Sequence, residues 1–531
     1  MTDGYTQGRR WTPLLHSILL TLFPVLYLLS ENIYLVRARA ALLPALTVLI
    51  LCSFIVALAA ASLRSVERGA IVASVAMLSI LSYGFVLAGL ERATVFGIGI
   101  GQHRHSMALL AFFVFGSWAI ARLASQKLVE ALTTTLLIAG VVLVMQPLYR
   151  VLSVELIDRG AEDPSARASA ESRRTSINAV PREGLPDIYY FVFDRYPDPH
   201  TLYKRFGLDN SPFLSSLDSL GFFVADSSRT NYPATFLSLA SSLNMEYVDK
   251  LIQPEDRDSA DESLMYPLIE ENRVWRTLRE FGYEFVHVGT FWGPTTHNRF
   301  ADININLFAT PIEGDFARLL YGQTLFYGLQ KTIFYEQFGD LRREKWNRIL
   351  FEIERIREIP SIPGPTFTFA HFLMPHAPYV FDRDGEYVSD AEEKGNGWDP
   401  GFVEMTLFAN RMILDLAGEI LDRSTQDPII VLQADEGPVS VRIIGKSPGF
   451  DWRQATAEEL RQKLGILNAI YAPKARDSFR ATMTPVNTFR ALFRAYLGME
   501  IHALPDRSYV FPFRSRPYEL VDVRTLDAWE E

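Results

Sequence analysis

Cysteine is nearly absent from this chain, and so is any basic tract. One cysteine, Cys52, stands among 531 residues, inside an apolar run. A single thiol excludes an intramolecular disulfide and any cysteine-based zinc site. The lack of cysteine in the polar part suits an oxidising compartment. Lys and Arg number 52 against 62 Asp and Glu, a formal net charge of −10. With no clustered positive charge, nucleic acid is not an expected partner. Charge of either sign is scarce from residue 13 to about 149, although the overall apolar content of 48% is ordinary.

That first stretch resolves into five apolar segments, about 13–34, 41–62, 69–90, 107–124 and 130–149. Each is close to the ~20 residues that cross a bilayer as a helix. Polar breaks separate them, among them Arg37 and Arg39, Arg64 to Arg68, and Glu91 to His105. The first segment follows Arg9 and Arg10, as a signal peptide would. No small-x-small cleavage site comes after it, and Glu31-Asn32 stands there instead, so it reads as a retained anchor. Arg9, Arg10, Arg64, Arg68, Arg122 and Lys127 fall on one side, and Arg37, Arg39, Arg92 and Arg104 on the other, so the positive-inside bias is slight. Glu31, His16 and Glu130 sit near segment ends. An ion pathway requires charge at depth, which favours an anchor over a transporter.

Residues 158–186 hold no aromatic residue and much Ser, Ala and charge, the composition of a linker. The chain therefore divides into a transmembrane anchor domain of about five helices (1–150), a flexible linker (151–186) and a globular domain (187–531). In the last, strand signals at Asp187–Phe193, Glu284–Val288, Thr366–Leu373 and Pro428–Leu432 alternate with helical ones at Pro212–Leu220, Pro233–Leu243, Leu268–Phe281 and Phe402–Leu421. This alternation predicts an α/β fold, a mainly parallel sheet sandwiched by helices. The amphipathic stretch Asp340–Ile359 reads as a solvated helix on that domain, with a membrane-surface role as the competing reading.

In such sheets ligands bind beyond the carboxyl ends of the strands. Three predicted strands lead to chemistry there: Asp194 after the first, His371 and His376 at the third, Asp435 and Glu436 after the fourth. Asp194, Asp435 and Glu436 together would form a hard, oxygen-rich metal site. The stretch Thr230-Asn-Tyr-Pro-Ala-Thr-Phe-Leu-Ser-Leu reads as a loop feeding a helix, with Pro233 in its first turn. A polar residue there is either an ordinary N-cap or lies where an anion would bind, against free N–H groups and the positive dipole end.

Taken in order, these segments resemble the alkaline phosphatase superfamily in its sulfatase-like branch, which includes sulfatases, lipoteichoic acid synthases and phosphoethanolamine transferases. The resemblance spans roughly residues 186–500. It rests on Asp194, Leu217-Asp-Ser-Leu-Gly-Phe222, Pro233-Ala-Thr-Phe-Leu-Ser-Leu, His371-Phe-Leu-Met-Pro-His376 and Gln433-Ala-Asp-Glu-Gly-Pro438. Five spans ahead of an extracytoplasmic catalytic domain is also the layout of lipoteichoic acid synthases. The resemblance implies an alkaline phosphatase-like fold, a divalent cofactor (Mn, Mg, Ca or Zn), and a multi-pass protein of a bacterial-type plasma (inner) membrane with its C-terminal domain outside the cytoplasm. It implies metal ligands at Asp194, Asp435 and Glu436, and substrate contacts at His376, His371, Trp292 and Arg299.

At the position of the family's nucleophile stands Asn231, and an amide cannot attack as an alkoxide does. Attack would then fall to Thr230 or a metal-bound water. The family's Asp-His pair is Asp435-Glu436 here. Two readings follow. One is a membrane-anchored hydrolase or transferase acting on phosphate or sulfate esters of cell-envelope glycolipids or polymers. The other is a catalytically inactive relative that binds an envelope lipid, polysaccharide or partner protein.

Overall fold

The computed structural model describes residues 12–33, 38–90, 94–95, 98–99, 103–154, 184–307, 315–332, 341–440, 443 and 449–527. Most of the expected linker therefore lies outside the described residues. The chain forms two compact units, Met1–Ala168 with Phe308–Asp340, and Ser169–Leu307 with Leu341–Glu531.

In the first unit the apolar segments are helical: α1 (Thr12–Glu31), α2 (Leu42–Leu63), α3 (Val66–Leu81), α4 (Tyr83–Leu90), α5 (His103–Leu123) and α6 (Gln126–Ser153). Among the described residues, four helices are long and apolar enough to cross a membrane, and α3 with α4 makes a fifth span if the pair is counted as one. That third segment, expected as one helix, is bent by 59°. At the break the Gly84 N–H donates to the Gln323 carbonyl at 2.9 Å. Two eight-residue helices, Asp315–Gly322 and Leu325–Thr332, belong to this unit. Phe316 and Leu320 bury in one cluster with Val25, Leu28 and Met77. Gly328 lies so near the Tyr83 ring that a Cβ there would come within 2.4 Å of it. The Arg68 guanidinium donates to the carbonyls of Ala121 and Ala124, closing the C-terminal end of α5 as a cation should.

The second unit is built on a seven-stranded sheet. Its strands in chain order are β1 (Ile188–Phe193), β2 (Phe223–Val224), β3 (Glu284–Val288), β4 (Ile303–Ile305), β5 (Thr366–Phe372), β6 (Ile429–Ala434) and β7 (Asn468–Tyr471), and across the sheet they run β2-β7-β6-β1-β5-β3-β4. The β6-β1-β5-β3-β4 portion is parallel, and β7 pairs antiparallel with both β6 and β2. Strand β1 is buried on both faces. Ile188, Tyr190 and Val192 enter one core, and Tyr189, Phe191 and Phe193 the other. This explains the continuous apolar run in place of alternation.

The helix expected from Pro233 starts two residues later, as α7 (Thr235–Asn244), with Ala234 at the N-cap in an extended conformation. Helix α8 (Leu341–Ile356) buries Ile349, Ile353 and Ile356 in the second core, so it is a helix of the domain. Helices α9 (Trp398–Arg423) and α10 (Ala457–Leu464) complete what frames the site.

Candidate active site

Register decides which residues meet. Phe193 in β1 stands opposite Phe372 in β5 and Ala434 in β6. The next residues along these strands are Asp194, Leu373 and Asp435, so two carboxylates emerge side by side at the carboxyl edge. The Asp194 N–H continues the ladder to the Phe372 carbonyl at 2.9 Å. Asp194, Asp435 and Glu436 are all buried. Asp435 Oδ1 accepts backbone N–H bonds from Arg195 at 3.1 Å and Glu436 at 2.7 Å. Asp194 Oδ1, Asp435 Oδ2 and Glu436 Oε2 are buried without a partner. Burial, then the fields of Asp194 and Glu436, push the Asp435 carboxyl well above its ordinary range. Asp194 and Glu436 thus both act on Asp435 at this edge.

Two cations stand among them that sequence reasoning missed. Lys463, buried at the end of α10, places Nζ 2.6 Å from Glu436 Oε1. Arg195 places Nε 3.2 Å from the same oxygen. Gly437 makes the first contact feasible. Its N–H donates to the Lys463 carbonyl at 2.8 Å, and Lys463 Nζ donates to the Gly437 carbonyl at 3.1 Å. A Cβ on Gly437 would fall 2.1 Å from the Gln462 carbonyl oxygen. Nothing in the sequence marks Lys463, the last-turn cation of a short amphipathic helix. Arg195 had one signal, its place directly after Asp194.

The acids suit a hard divalent ion by donor type and by their three unpartnered oxygens. Among the described residues, however, no three acids, histidines or thiols are closed around a metal-sized space. Glu436 is already engaged by Lys463 and Arg195, so holding an ion requires that carboxylate to turn.

The loop before α7 is arranged differently from expectation. The Asn231 amide does not turn to the acids. Its Oδ1 accepts from the Val486 N–H at 3.0 Å, and its Nδ2 donates to the Arg507 carbonyl at 2.8 Å. Thr230, fully buried, donates its hydroxyl to the Asp435 carbonyl oxygen at 2.6 Å. Both side chains tie loops together. Thr235, half-buried at the start of α7, has its hydroxyl at the Asp435 carboxyl, whose pKa it lowers. No side chain caps α7, so its first N–H groups and positive dipole end are available at that point.

His376 lines a cavity of about 470 Å³ beside this edge. Burial, then Arg195 and Lys345, lower its pKa to about 3, so its ring is neutral at physiological pH. Nδ1 lies 2.5 Å from the Ala377 carbonyl, which can only accept. The proton therefore sits on Nδ1, and Nε2 is left as an acceptor. His371 is buried in β5, with Nδ1 3.3 Å from Thr295 Oγ1 and Nε2 unpartnered. The Trp292 ring meets it edge-on at 5.5 Å. Arg299 is held by Glu270 at 3.2 Å and lies over the Phe300 ring.

Lys345 of α8 holds the His376 loop from behind, donating to the carbonyls of His376 at 2.5 Å and Pro378 at 3.1 Å. Burial lowers its pKa to about 7. Above that pH the folded chain has released a proton that the unfolded chain keeps until about 10.4. Stability should therefore rise with pH between about 7 and 10 by up to ~4 kcal/mol from this group, and be flat below. Unfolding the full chain across that range, as wild type and as Lys345→Met, isolates the effect. A wild-type-minus-variant difference that does not change with pH refutes it.

No family model matches the chain, and no curated protein matches it. Solved structures do. The C-terminal periplasmic domain of EcEptC from Escherichia coli is 13% identical, over 65% of this chain and 95% of that one, with a TM-score of 0.43. The integral membrane protein lipooligosaccharide phosphoethanolamine transferase A (EptA) from Neisseria meningitidis is 10% identical over 91% of this chain and 95% of that one, with a TM-score of 0.36. The putative sulfatase yidJ from Bacteroides fragilis is 10% identical over 61% and 81%, with a TM-score of 0.35. By their descriptions, the second of these is a phosphoethanolamine transferase and the third a putative sulfatase.

Proposed function

We propose that this chain is a membrane-anchored hydrolase or transferase that acts on phosphate or sulfate esters of cell-envelope glycolipids or polymers, with its second unit outside the cytoplasm. The observation that carries the reading is the row of three unpartnered carboxylate oxygens on Asp194, Asp435 and Glu436, two of them on adjacent parallel strand ends. Lys463 and Arg195 reach only Glu436 Oε1, and neither burial nor mutual repulsion favours the remaining oxygens without a further cation. A divalent ion held there by these three acids would neutralise charge developing on the nonbridging oxygens of the ester. A zinc complex is known for the E. coli EptC domain. For this chain the argument for a metal rests on its own acids.

Each remaining role falls to a residue of the chain. Thr235 supplies a hydroxyl at the Asp435 carboxyl, and the α7 N-terminus stabilises negative charge on that oxygen. Neutral His376 offers Nε2 to the hydroxyl of an entering or leaving group. Asn231 and Thr230 keep the loop in place.

The second reading, an inactive relative that binds an envelope ligand, draws on one observation: Lys463 and Arg195 already neutralise Glu436. Turnover separates the two. The full chain is assayed on 4-nitrophenyl phosphate, bis-(4-nitrophenyl) phosphate and 4-nitrophenyl sulfate, after chelation and again with Mn²⁺, Mg²⁺, Ca²⁺ or Zn²⁺. The enzyme reading expects turnover that chelator removes and one of these ions restores. Tight metal binding with no turnover on any ester favours the binding protein, and the absence of both rejects the metal centre.

A further inference from the structure

The cavity next to the acids has a mixed lining: Arg195, Arg205 and His376 are basic or polar, and Tyr379, Trp398 and Phe402 are aromatic. Arg195 is the most informative of these. Its φ is +66°, a left-handed conformation rare for a residue with a Cβ, and such outliers collect where function needs them. Its N–H is committed to Asp435 and its Nε to Glu436. These bonds aim the guanidinium while, among the described residues, neither Nη nitrogen has a hydrogen-bond partner, so a fork of donors is left at the cavity. Such a fork matches two oxygens of a tetrahedral oxyanion. Arg205 lines the same cavity, anchored by Nη1 on the Val439 carbonyl at 2.9 Å and by Nη2 near Asp399 at 3.6 Å.

The aromatic side chains of the lining pack on one another. Trp398 is 59% exposed at the cavity. Tyr379 meets it edge-on at 5.8 Å, and meets Phe402 the same way at 6.0 Å. Phe402 in turn stacks on Phe206 at 4.2 Å. An exposed indole lining a cavity can pack against a flat, weakly positive C–H surface. A sugar ring has such a face.

We propose that this cavity binds a sugar that carries the ester, its oxyanion on Arg195 and Arg205 and its ring against Trp398. The assignment rests on the ester-transfer reading for its chemistry, but neither guanidinium nor the aromatic lining depends on a metal. Arg195 thus joins the site as a substrate-binding residue, and Trp398 sets specificity for what bears the ester.

The test measures binding, not turnover. The full chain in phosphatidylcholine nanodiscs is titrated with inorganic phosphate, inorganic sulfate and glucose 1-phosphate, each with chelator present. The variants are Arg195→Gln, Arg205→Gln, Trp398→Ala and, as a control at an exposed site, Arg516→Gln. Losing a charged hydrogen bond should weaken all three ligands by about tenfold or more in Arg195→Gln and Arg205→Gln. Trp398→Ala should weaken glucose 1-phosphate alone, and Arg516→Gln should change nothing. The relative affinity of phosphate and sulfate identifies the ester. Arg205→Gln decides alone if Arg195→Gln fails to fold. Unchanged affinity in both arginine variants, or no wild-type binding at millimolar ligand, overturns the proposal. Equal loss of phosphate and glucose 1-phosphate in Trp398→Ala overturns its sugar half. Because chelator is present throughout, these failures are distinct from a failure of the metal centre.

Discussion

Asp435→Asn should make the metal-free protein more stable while abolishing its response to metal. Asn keeps an oxygen for the N–H groups of Arg195 and Glu436, so the turn after β6 is preserved. What disappears is a buried charge facing Asp194 and Glu436. Relief of that repulsion should add about 1–3 kcal/mol to unfolding. A wild-type centre with metal at a hundred times its Kd should gain roughly 2.7 kcal/mol, and the variant should gain none. Turnover should fall by on the order of 10³ or more, because the stabilisation of transition-state charge is lost. Thermal unfolding with and without Mn²⁺ reads the first two effects, and ester hydrolysis reads the third. A variant that still gains stability from metal would place the ion elsewhere.

The second large effect belongs to Thr235. Thr235→Ala should lower turnover by about 10³-fold or more with stability nearly intact, since it removes the hydroxyl at the α7 N-terminus beside Asp435. Asn231→Ala should behave in the opposite way. It strands the Val486 N–H and the Arg507 carbonyl, both tied by the amide now, and should cost about 2–4 kcal/mol of stability. Measured side by side, kcat and unfolding free energy separate a reacting group from a loop tie. If Thr235→Ala keeps its turnover while Thr230→Ala loses it, the nucleophile is the residue that the structure has bonded to the Asp435 backbone.

The contrast between these two residues shows what the sequence could express. Strands β1, β3, β5 and β6 were legible because residues buried on both faces form apolar runs, and their ends named Asp194 and Asp435. Strands β2, β4 and β7 span two, three and four residues, too short for any period to appear. The stretch 268–281, which reads as one helix, is two pieces, Tyr266–Glu270 and Arg273–Glu280, separated where Asn272 caps the second. The site was half visible for a similar reason. Spacing along the chain can place Asn231 at a family position, but only three-dimensional packing decides whether its amide faces the acids or the backbone of Val486 and Arg507. Lys463 and Lys345 were invisible, because a lysine destined for burial has no mark in sequence that sets it apart from a solvated one.

The helices Asp315–Gly322 and Leu325–Thr332 lie between β4 and α8 in sequence, yet they cluster with the bilayer helices. The chain therefore passes from one unit to the other three times instead of once. A protease that nicks the stretch between the fifth apolar segment and β1 would leave the second unit still joined to the first by this second attachment. Freeing the whole second unit would take a further cut on each side of residues 308–340.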